Sequence, residues 1–461
     1  MSESSPLSGG PARPALRHPS RRALLRGSSG AALALAAGAA LSACGSSSGG
    51  GQGGDAATGK VTVWSWTTAA TALRSVVPAF EKAHPDITVD VVDVGNPAIW
   101  DKITVGLASG GQGLADVLHI GCDYLPGYLE KFPGGLADLS ALGADRYKGA
   151  FASGLWPVVS GKNGHVYAMP WEVNPLGFYY RKDLFDRAGI DPTAYRTWDD
   201  VIASAGRFRH ANPGCYLIGI DKSATTAPDC DFLQSLMQLQ GAFYFDLQGR
   251  VTLGSPQAVK ALTVIKELND AGLVGDASGD HGWSNLVKAD KVAVSPLPAW
   301  AAHYLETEFP KQKGQWRLTR PPAVTPGGKR AAIVNSTHLA VAASSKRRRA
   351  AFAFVEFALT RPDSMNRMFR AGGVFPALTA AYSDPMYAQP DPYYGGQPVL
   401  RTFTGLLGEG ADATNYSGDY ARALKLASDA QVKMFLKGGD PATVLHSAAQ
   451  QLAQQSGRRI A

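Results

Sequence analysis

An ordered alternation of strand and helix patterns, beginning at Lys60, most constrains what this chain can fold into. Val61 and Val63 flank polar Thr62 as they would on a strand. Leu73, Val76, Val77 and Phe80 then fall at i, i+3, i+4 and i+7, the stripe of a helix over Thr71–His84. Pro85-Asp86 ends that helix. Ile87–Val94 is β-branched and strand-like, Ile99–Ser109 reads as a second helix, and Val117–Ile120 as a third strand. A β-α-β-α-β order predicts an α/β fold with a mainly parallel sheet flanked by helices. Ligands of such sheets bind outside the carboxyl ends of the strands. Those ends are Trp64–Thr67, Gly95–Asn96 and Gly121–Tyr124. Later helices are expected at Asp183–Gly189, Trp198–Arg207, Pro256–Gly272, Arg349–Leu359 and Pro441–Gln455. Strands are expected at Val292–Val294, Ile333–Val334 and Leu339–Val341.

The segment ahead of this alternation is of another kind. Arg21-Arg22 precede an almost uncharged Ala/Leu/Gly run from Gly27 to Ala40, which ends in Leu41-Ser42-Ala43-Cys44. A twin arginine, a short apolar core and a small-residue cleavage site make an export signal. The run is shorter than the ~20 residues a transmembrane helix needs. Leu41–Cys44 resembles a bacterial lipobox. That resemblance implies a signal peptide over residues 1–43, lipid (palmitate) on the Cys44 thiol, and a tether to the outer face of the cytoplasmic membrane. An ordinary signal peptide is the alternative. Residues 44–59 then form the anchor and a flexible Gly/Ser spacer. Two motif matches in that spacer, Gly45–Gly49 for a nucleophile elbow and Gly54–Lys60 for a phosphate loop, lack the required context.

The formal charge of +7 overstates the basicity of the exported chain. Arg13, Arg17, Arg21, Arg22 and Arg26 stand against Glu3 in the removed segment, which leaves about +3. That is too mild for a nucleic-acid partner. The nine histidines never recur at metal-ligand spacing, so no metal and no cofactor is expected. Cys215 and Cys230 close a short loop that an exported protein could bridge, with Cys122 left over. The exported chain exceeds the ~250–300 residues at which one core stops growing, so two lobes are expected.

From Lys60 onward the sequence resembles the extracellular solute-binding proteins of carbohydrate import, the maltose-binding type. The resemblance is carried by Val61–Trp66, Phe80–Ile87, Tyr167–Trp171, Phe178–Phe185, Ala188–Pro192, Thr197–Asp200 and Tyr394–Gln397, in that order. It implies a two-lobed, periplasmic-binding-protein-like fold of type II with three crossings, near Pro170–Asn174, Ala331–Asn335 and Phe375–Leu378. Lobe 1 would hold 60–171 and 334–377, and lobe 2 would hold 172–333 and 378–461. The ligand would lie between them, and closure of the hinged lobes would enclose it.

A sugar offers hydroxyl edges, which suit carboxylates and amides, and flat C–H faces, which suit aromatic rings. On that basis Trp66 is assigned to the cleft and Trp64 to the core. Asp123 and Tyr124 follow the third strand, with a helix cap as the alternative role for Asp123. Glu172 and Asn174 stand at a crossing, where a surface glutamate and a turn residue are the alternatives. Trp283 and Trp300 are candidates for stacking, and Trp316 reads as core. Asn335 and Ser336 replace the Gly-Gly of many relatives, and either reach ligand or repack. Phe375, Tyr394, Gln397 and Tyr416 complete the candidates. The resemblance implies a monomeric, lipid-anchored receptor, not an enzyme, that binds a carbohydrate of two or more units and delivers it to the transmembrane subunits of an ABC-type permease. A secreted carbohydrate-active enzyme, using Asp123 and Glu172 as its acid pair, and a binding protein feeding a sensor kinase are the alternatives.

Overall fold

The computed structural model describes residues 55–224, 230–279 and 281–461. The export signal, Cys44 and most of the spacer lie outside the described residues. Nine strands are described: β1 (Gly59–Ser65), β2 (Ile87–Asp93), β3 (Val117–Gly121), β4 (Ala168–Arg181), β5 (Ile218–Ile220), β6 (Val274–Asp276), β7 (Val294–Pro298), β8 (Trp316–Thr319) and β9 (Ile333–Val341). Seven of them form one sheet in the order β2-β1-β3-β9-β4-β7, with β8 also on β4. Pairing is parallel within β2-β1-β3 and antiparallel in β3-β9, β9-β4, β4-β7 and β4-β8. β5 and β6 make a separate parallel pair.

The opening alternation folds as its pattern predicts. Val61 and Val63 are fully buried on β1. The helix Thr67–Ala83 buries Leu73, Val76 and Phe80 against the sheet. Its neighbour, Pro362–Gly372, comes so close that a Cβ on Gly372 would stand 2.3 Å from the Thr68 carbonyl oxygen. Only glycine permits that approach. Phe80 also meets Phe354 and Phe357 edge-on, at 5.2 and 5.4 Å between ring centroids, and so ties the first helix to Arg348–Leu359.

The long strand β4 changes partners along its length. It pairs with β9 over Ala168–Pro175 and with β7 and β8 from there to Arg181. The register with β9 shifts between Pro170 and Glu172 and again between Asn174 and Pro175. Proline cannot donate to a ladder and is confined to edges and bulges, so both shifts lie where the sequence demands them. Strand β9 is continuous, whereas the sequence suggests two short strands broken at Asn335–His338. The polar side chains there interrupt the hydrophobic pattern without interrupting the backbone ladder. The expected helix Trp198–Arg207 divides at Ser204 into Trp198–Ala203 and Ala205–Ala211.

Two hydrophobic cores result. One surrounds β1–β3 with the helices Thr67–Ala83, Ala98–Ala108 and Arg348–Leu359. The other gathers Trp198 and Phe208 with the helices Asp231–Gln238, Pro256–Asp270, Tyr420–Lys437 and Pro441–Ser456. In the Arg181-Lys182-Asp183 stretch, the buried Arg181 guanidinium donates to Asp183 at 2.8 and 2.9 Å and to Asp290 at 2.6 Å. A buried arginine needs such partners, which gives this stretch a structural purpose. Trp316 is core, as expected, and its indole N–H donates to Gln312.

The bridge between Cys215 and Cys230 does not form; both remain thiols. Cys230 is packed inside the second core, while the half-buried Cys215 thiol donates to the Asp290 carbonyl at 3.3 Å. Each sulfur is committed to a different neighbourhood. No helix among the described residues is long and apolar enough to cross a membrane. Truncating Phe80 to alanine should cost about 3–5 kcal/mol, read from chemical denaturation. Native-state alkylation, mapped by peptide mass, should label Cys215 ahead of buried Cys122 and Cys230, and a disulfide-linked 215–230 peptide would contradict the structure.

Candidate functional site

A cleft of about 450 Å³ opens at the carboxyl ends of β1 and β3 and against the β4–β9 crossing. This lies within the ~300–1,000 Å³ usual for small-molecule sites. Trp66 follows β1, Asp123 follows β3, and Glu172 and Asn174 come from β4. Asn335 and Ser336 come from β9, and Trp300 and Tyr416 come from loops beyond the crossing. The structure therefore brings eight of the sequence candidates to one cavity.

Its aromatic faces are held in place by what lies behind them. The Trp66 ring stacks on His119 at 3.6 Å with 2° between planes, and meets Trp100 edge-on at 5.1 Å. His119 is buried, and its Nδ1 pairs with the Ser65 hydroxyl at 2.9 Å. Burial, with His338 nearby, holds the His119 pKa well below the usual imidazole range. Burial likewise pushes His338 down to about 3. Both rings are therefore neutral at physiological pH. Trp100 also lines the cleft, with its indole N–H donating to Asn96 at 3.0 Å and its other face stacked on Tyr124 at 4.2 Å. Trp300 is 40 % exposed, and its backbone N–H donates to the Asn174 side chain at 3.2 Å.

The polar edges are similarly arranged. A Cβ on Gly121 would stand 2.3 Å from Asp123 Oδ1, so glycine there makes room for the carboxylate. Burial raises the Asp123 pKa to about 6, against the lowering effect of backbone N–H donors at Asp123 and Tyr124. Burial also raises Glu172, opposed by hydrogen bonds from Asn174 and from Thr337, whose hydroxyl donates at 3.2 Å. On the facing wall, Tyr420 donates its hydroxyl proton to Gln234 Oε1 at 3.2 Å. Gln234 is only 6 % exposed, and its Nε2 has no hydrogen-bond partner. Tyr416 is nearly buried and donates to the Val334 carbonyl at 2.7 Å.

Five sequence candidates do not line this cavity. Tyr124 supports Trp100 from behind. Trp283 packs on Phe309 and donates its indole N–H to Ser295 at 3.3 Å. Phe375 is buried among Phe369, Tyr382, Tyr387 and Phe403. Tyr394 is buried and donates to the Ala302 carbonyl at 2.9 Å. Gln397 accepts from the Leu318 N–H at 2.8 Å and donates to the Leu318 carbonyl, so its amide extends the edge of β8. Asn96, Trp100, Asp231, Gln234, Thr337 and Tyr420 line the cleft but were not singled out from sequence. Two of these carried a signal: Asn96 lies at a predicted strand end, and Thr337 adjoins the candidate pair Asn335-Ser336. No group of three or more potential metal ligands occurs among the described residues.

The raised pKa of Asp123 has a consequence for stability. Its ordinary value is 3.8 and its folded value about 6. The folded state therefore binds the proton more tightly, and the ionised carboxylate lowers stability as pH rises from about 4 to above about 6. Asp123→Asn should raise the stability of the ligand-free protein at neutral pH by on the order of 2 kcal/mol. The gain should vanish below about pH 4, as followed by denaturation across that range.

Residues 64–364 match the profile of the bacterial extracellular solute-binding proteins. The lactose-binding protein of Rhizobium radiobacter is 27% identical over 410 residues, covering 86% of this chain and 93% of that protein. The sugar-binding protein MalE of Xanthomonas citri superposes with a TM-score of 0.72 at 21% identity, over 86% of this chain and 98% of that one. A transporter-associated binding protein of B. animalis subsp. lactis, solved in complex with β-1,6-galactobiose, superposes at 0.68 with 23% identity, over 87% and 99%. These two structures share the two-lobed fold. The chain belongs to the bacterial extracellular solute-binding proteins.

Proposed function

We propose that this protein is the substrate-binding component of an ABC-type carbohydrate importer. The observation that carries this reading is the composition of the cleft. Trp66, Trp100 and Trp300 offer flat apolar faces, and Asp123, Glu172, Asn174 and Asn335 offer hydrogen-bonding edges between them. Flat faces together with hydrogen-bonding edges match the two kinds of surface a pyranose offers. The sugar-binding roles of the lactose-binding relative and the galactobiose-bound structure support the same ligand class.

In this reading the lobes are 60–171 with 334–377 and 172–333 with 378–461. The bulged segment of β4 and the start of β9 serve as hinge strands, and ligand favours the closed arrangement by contacting both lobes. The protein makes and breaks no bond; the closed form presents the sugar to a permease. Export, cleavage before Cys44 and a lipid on its thiol keep a monomeric receptor beside its transporter.

The test is a titration against mono- and oligosaccharides, followed by tryptophan fluorescence and thermal shift, with product analysis of the same samples. A bound sugar should stabilise the fold by ~2.7 kcal/mol at a hundredfold excess over Kd. Saturable binding without consumption supports the receptor, and turnover would identify an enzyme. Trp66→Ala should weaken binding by about 2 kcal/mol, roughly thirtyfold. Trp283→Ala should leave the affinity of the folded protein within about twofold, because that ring packs against Phe309.

A further inference from the structure

The walls of the cleft belong to different cores. Asp123 and Tyr124 lead directly into the helix Leu125–Lys131, whose Leu125 and Tyr128 are buried in the first core. Tyr416 and Tyr420, which line the cleft, flank a turn that opens the helix Tyr420–Lys437 of the second core. The two walls are far apart in sequence, so their spacing depends on contacts between them.

They meet just outside the cavity. Gly418, in the turn, lies over Gly127 of the first helix: a Cβ on Gly127 would stand 3.4 Å from the Gly418 Cα. The Gly418 N–H donates to Glu130 Oε2 at 3.0 Å. The same oxygen accepts from Arg458 Nη2 at 2.8 Å. Arg458 follows the helix Pro441–Ser456 and is anchored to the second core on its other sides. Its Nε donates to Asp419 Oδ2 at 2.8 Å and its Nη1 donates to the Gly249 carbonyl at 3.3 Å. Its guanidinium lies 5.3 Å from the centroid of the buried Phe245 ring. One carboxylate oxygen of the first core thus receives a backbone donor and a charged donor from the second.

Exposed ion pairs contribute little, because water screens them and two long side chains must be ordered. Here the Arg458 and Glu130 side chains are only 18 % and 25 % exposed. The arginine is already held by Asp419, Gly249 and Phe245, so little further freedom is lost when its planar guanidinium meets Glu130. The competing cation, Lys162, stands 3.8 Å from the other Glu130 oxygen and is largely exposed. A Cβ on Gly418 would come within 2.7 Å of Glu130 Oε2, so glycine there leaves the carboxylate its place. Neither Glu130 nor Arg458 lines the cleft. Any effect of theirs on a ligand passes through the turn that carries Tyr416 and Tyr420.

On the reading that a sugar sits in this cleft, we propose that Glu130 and Arg458 form a clasp that holds the Tyr416–Tyr420 wall against the wall carrying Asp123, and so act as positioning residues for the ligand.

The test is a double-mutant cycle on the full chain, read as the Kd of the folded protein. Cellobiose, gentiobiose and melibiose are measured first, and the probe is whichever sugar of these or the broader panel the unmutated protein binds most tightly. Glu130→Gln removes the charge with little change of shape and should weaken binding about fivefold, ~1 kcal/mol. Arg458→Gln should weaken it by at least as much. The double variant should be no weaker than Arg458→Gln alone, because the contacts of Arg458 within its own core cancel in the cycle. The loss should appear in the dissociation rate. Should either variant fold poorly, Gly418→Ala displaces the same carboxylate without changing a charge and should weaken binding severalfold. Unchanged or tighter binding in Glu130→Gln, or in Gly418→Ala where it stands in, would overturn the clasp while leaving the sugar-receptor reading intact. So would losses that add in full in the double variant, or a coupling seen in unfolding and not in Kd. No binding of any sugar by the unmutated protein would overturn the carbohydrate reading and this inference with it.

Discussion

The antiparallel pairing of β4 with β9 is the interaction on which the rest of the structure depends. It joins the sheet built on β1–β3 to the strands β7 and β8. Along the crossing, Glu172, Val173 and Asn174 pair with Thr337, Ser336 and Asn335. Buried backbone groups must find partners, and here each strand supplies them for the other. The side chains are thereby released from satisfying the backbone of their own two strands. Glu172, Asn174, Asn335 and Ser336 can all face a cavity while the chain beneath them remains regular. The same pairing explains why a polar stretch within β9 does not end the strand.

A second layer of constraint lies behind the cleft. The faces that would meet a ligand are set by groups that do not touch it. His119 fixes the plane of Trp66, Tyr124 fixes that of Trp100, and Asn174 fixes the backbone at Trp300. Such support holds aromatic rings at low entropic cost on binding. The neutrality of His119 matters here. A charged imidazolium under Trp66 would place a cation against the cavity wall, whereas the neutral ring contributes only stacking.

How much of this could be read from the sequence depended on the range of the interactions. The opening strands and helices were legible because Val61, Val63, Leu73, Val76 and Phe80 follow simple periodicities that burial then satisfies. Strand ends predicted from the α/β pattern located Trp66 and Asp123 correctly relative to the cavity. The failures share a cause. Trp283, Phe375 and Tyr394 have the chemistry of ligand contacts but spend it on core neighbours or on Ser295 and Ala302. Gln397 spends its amide on β8. Conversely, Asp231, Gln234 and Tyr420 sit on helices whose sequences carry no local sign of a cavity, since the wall they form exists only once distant segments pack. The Cys215–Cys230 pairing failed likewise: closeness in sequence said nothing of how each sulfur is placed, Cys230 inside the second core and Cys215 at its edge on the Asp290 carbonyl.

The cleft also gathers polar groups that the fold leaves partly unsatisfied. Asp123 is an ionised group taken partly out of water, Glu172 is opposed by the same desolvation, and Gln234 keeps a buried donor without an acceptor. Each lowers the stability of the empty protein, since a buried polar group that lacks a partner costs free energy. A chain selected for stability alone would replace these residues with apolar or neutral ones of similar size. Their placement in a single cavity follows if a ligand supplies the missing partners, because relief of an existing deficit adds to affinity without requiring new order in the protein. On this argument the strained chemistry of the cleft and its capacity to bind have one origin, and the ligand that fits best is the one whose charges and hydroxyls complete the partial hydrogen bonding of Asp123, Glu172 and Gln234.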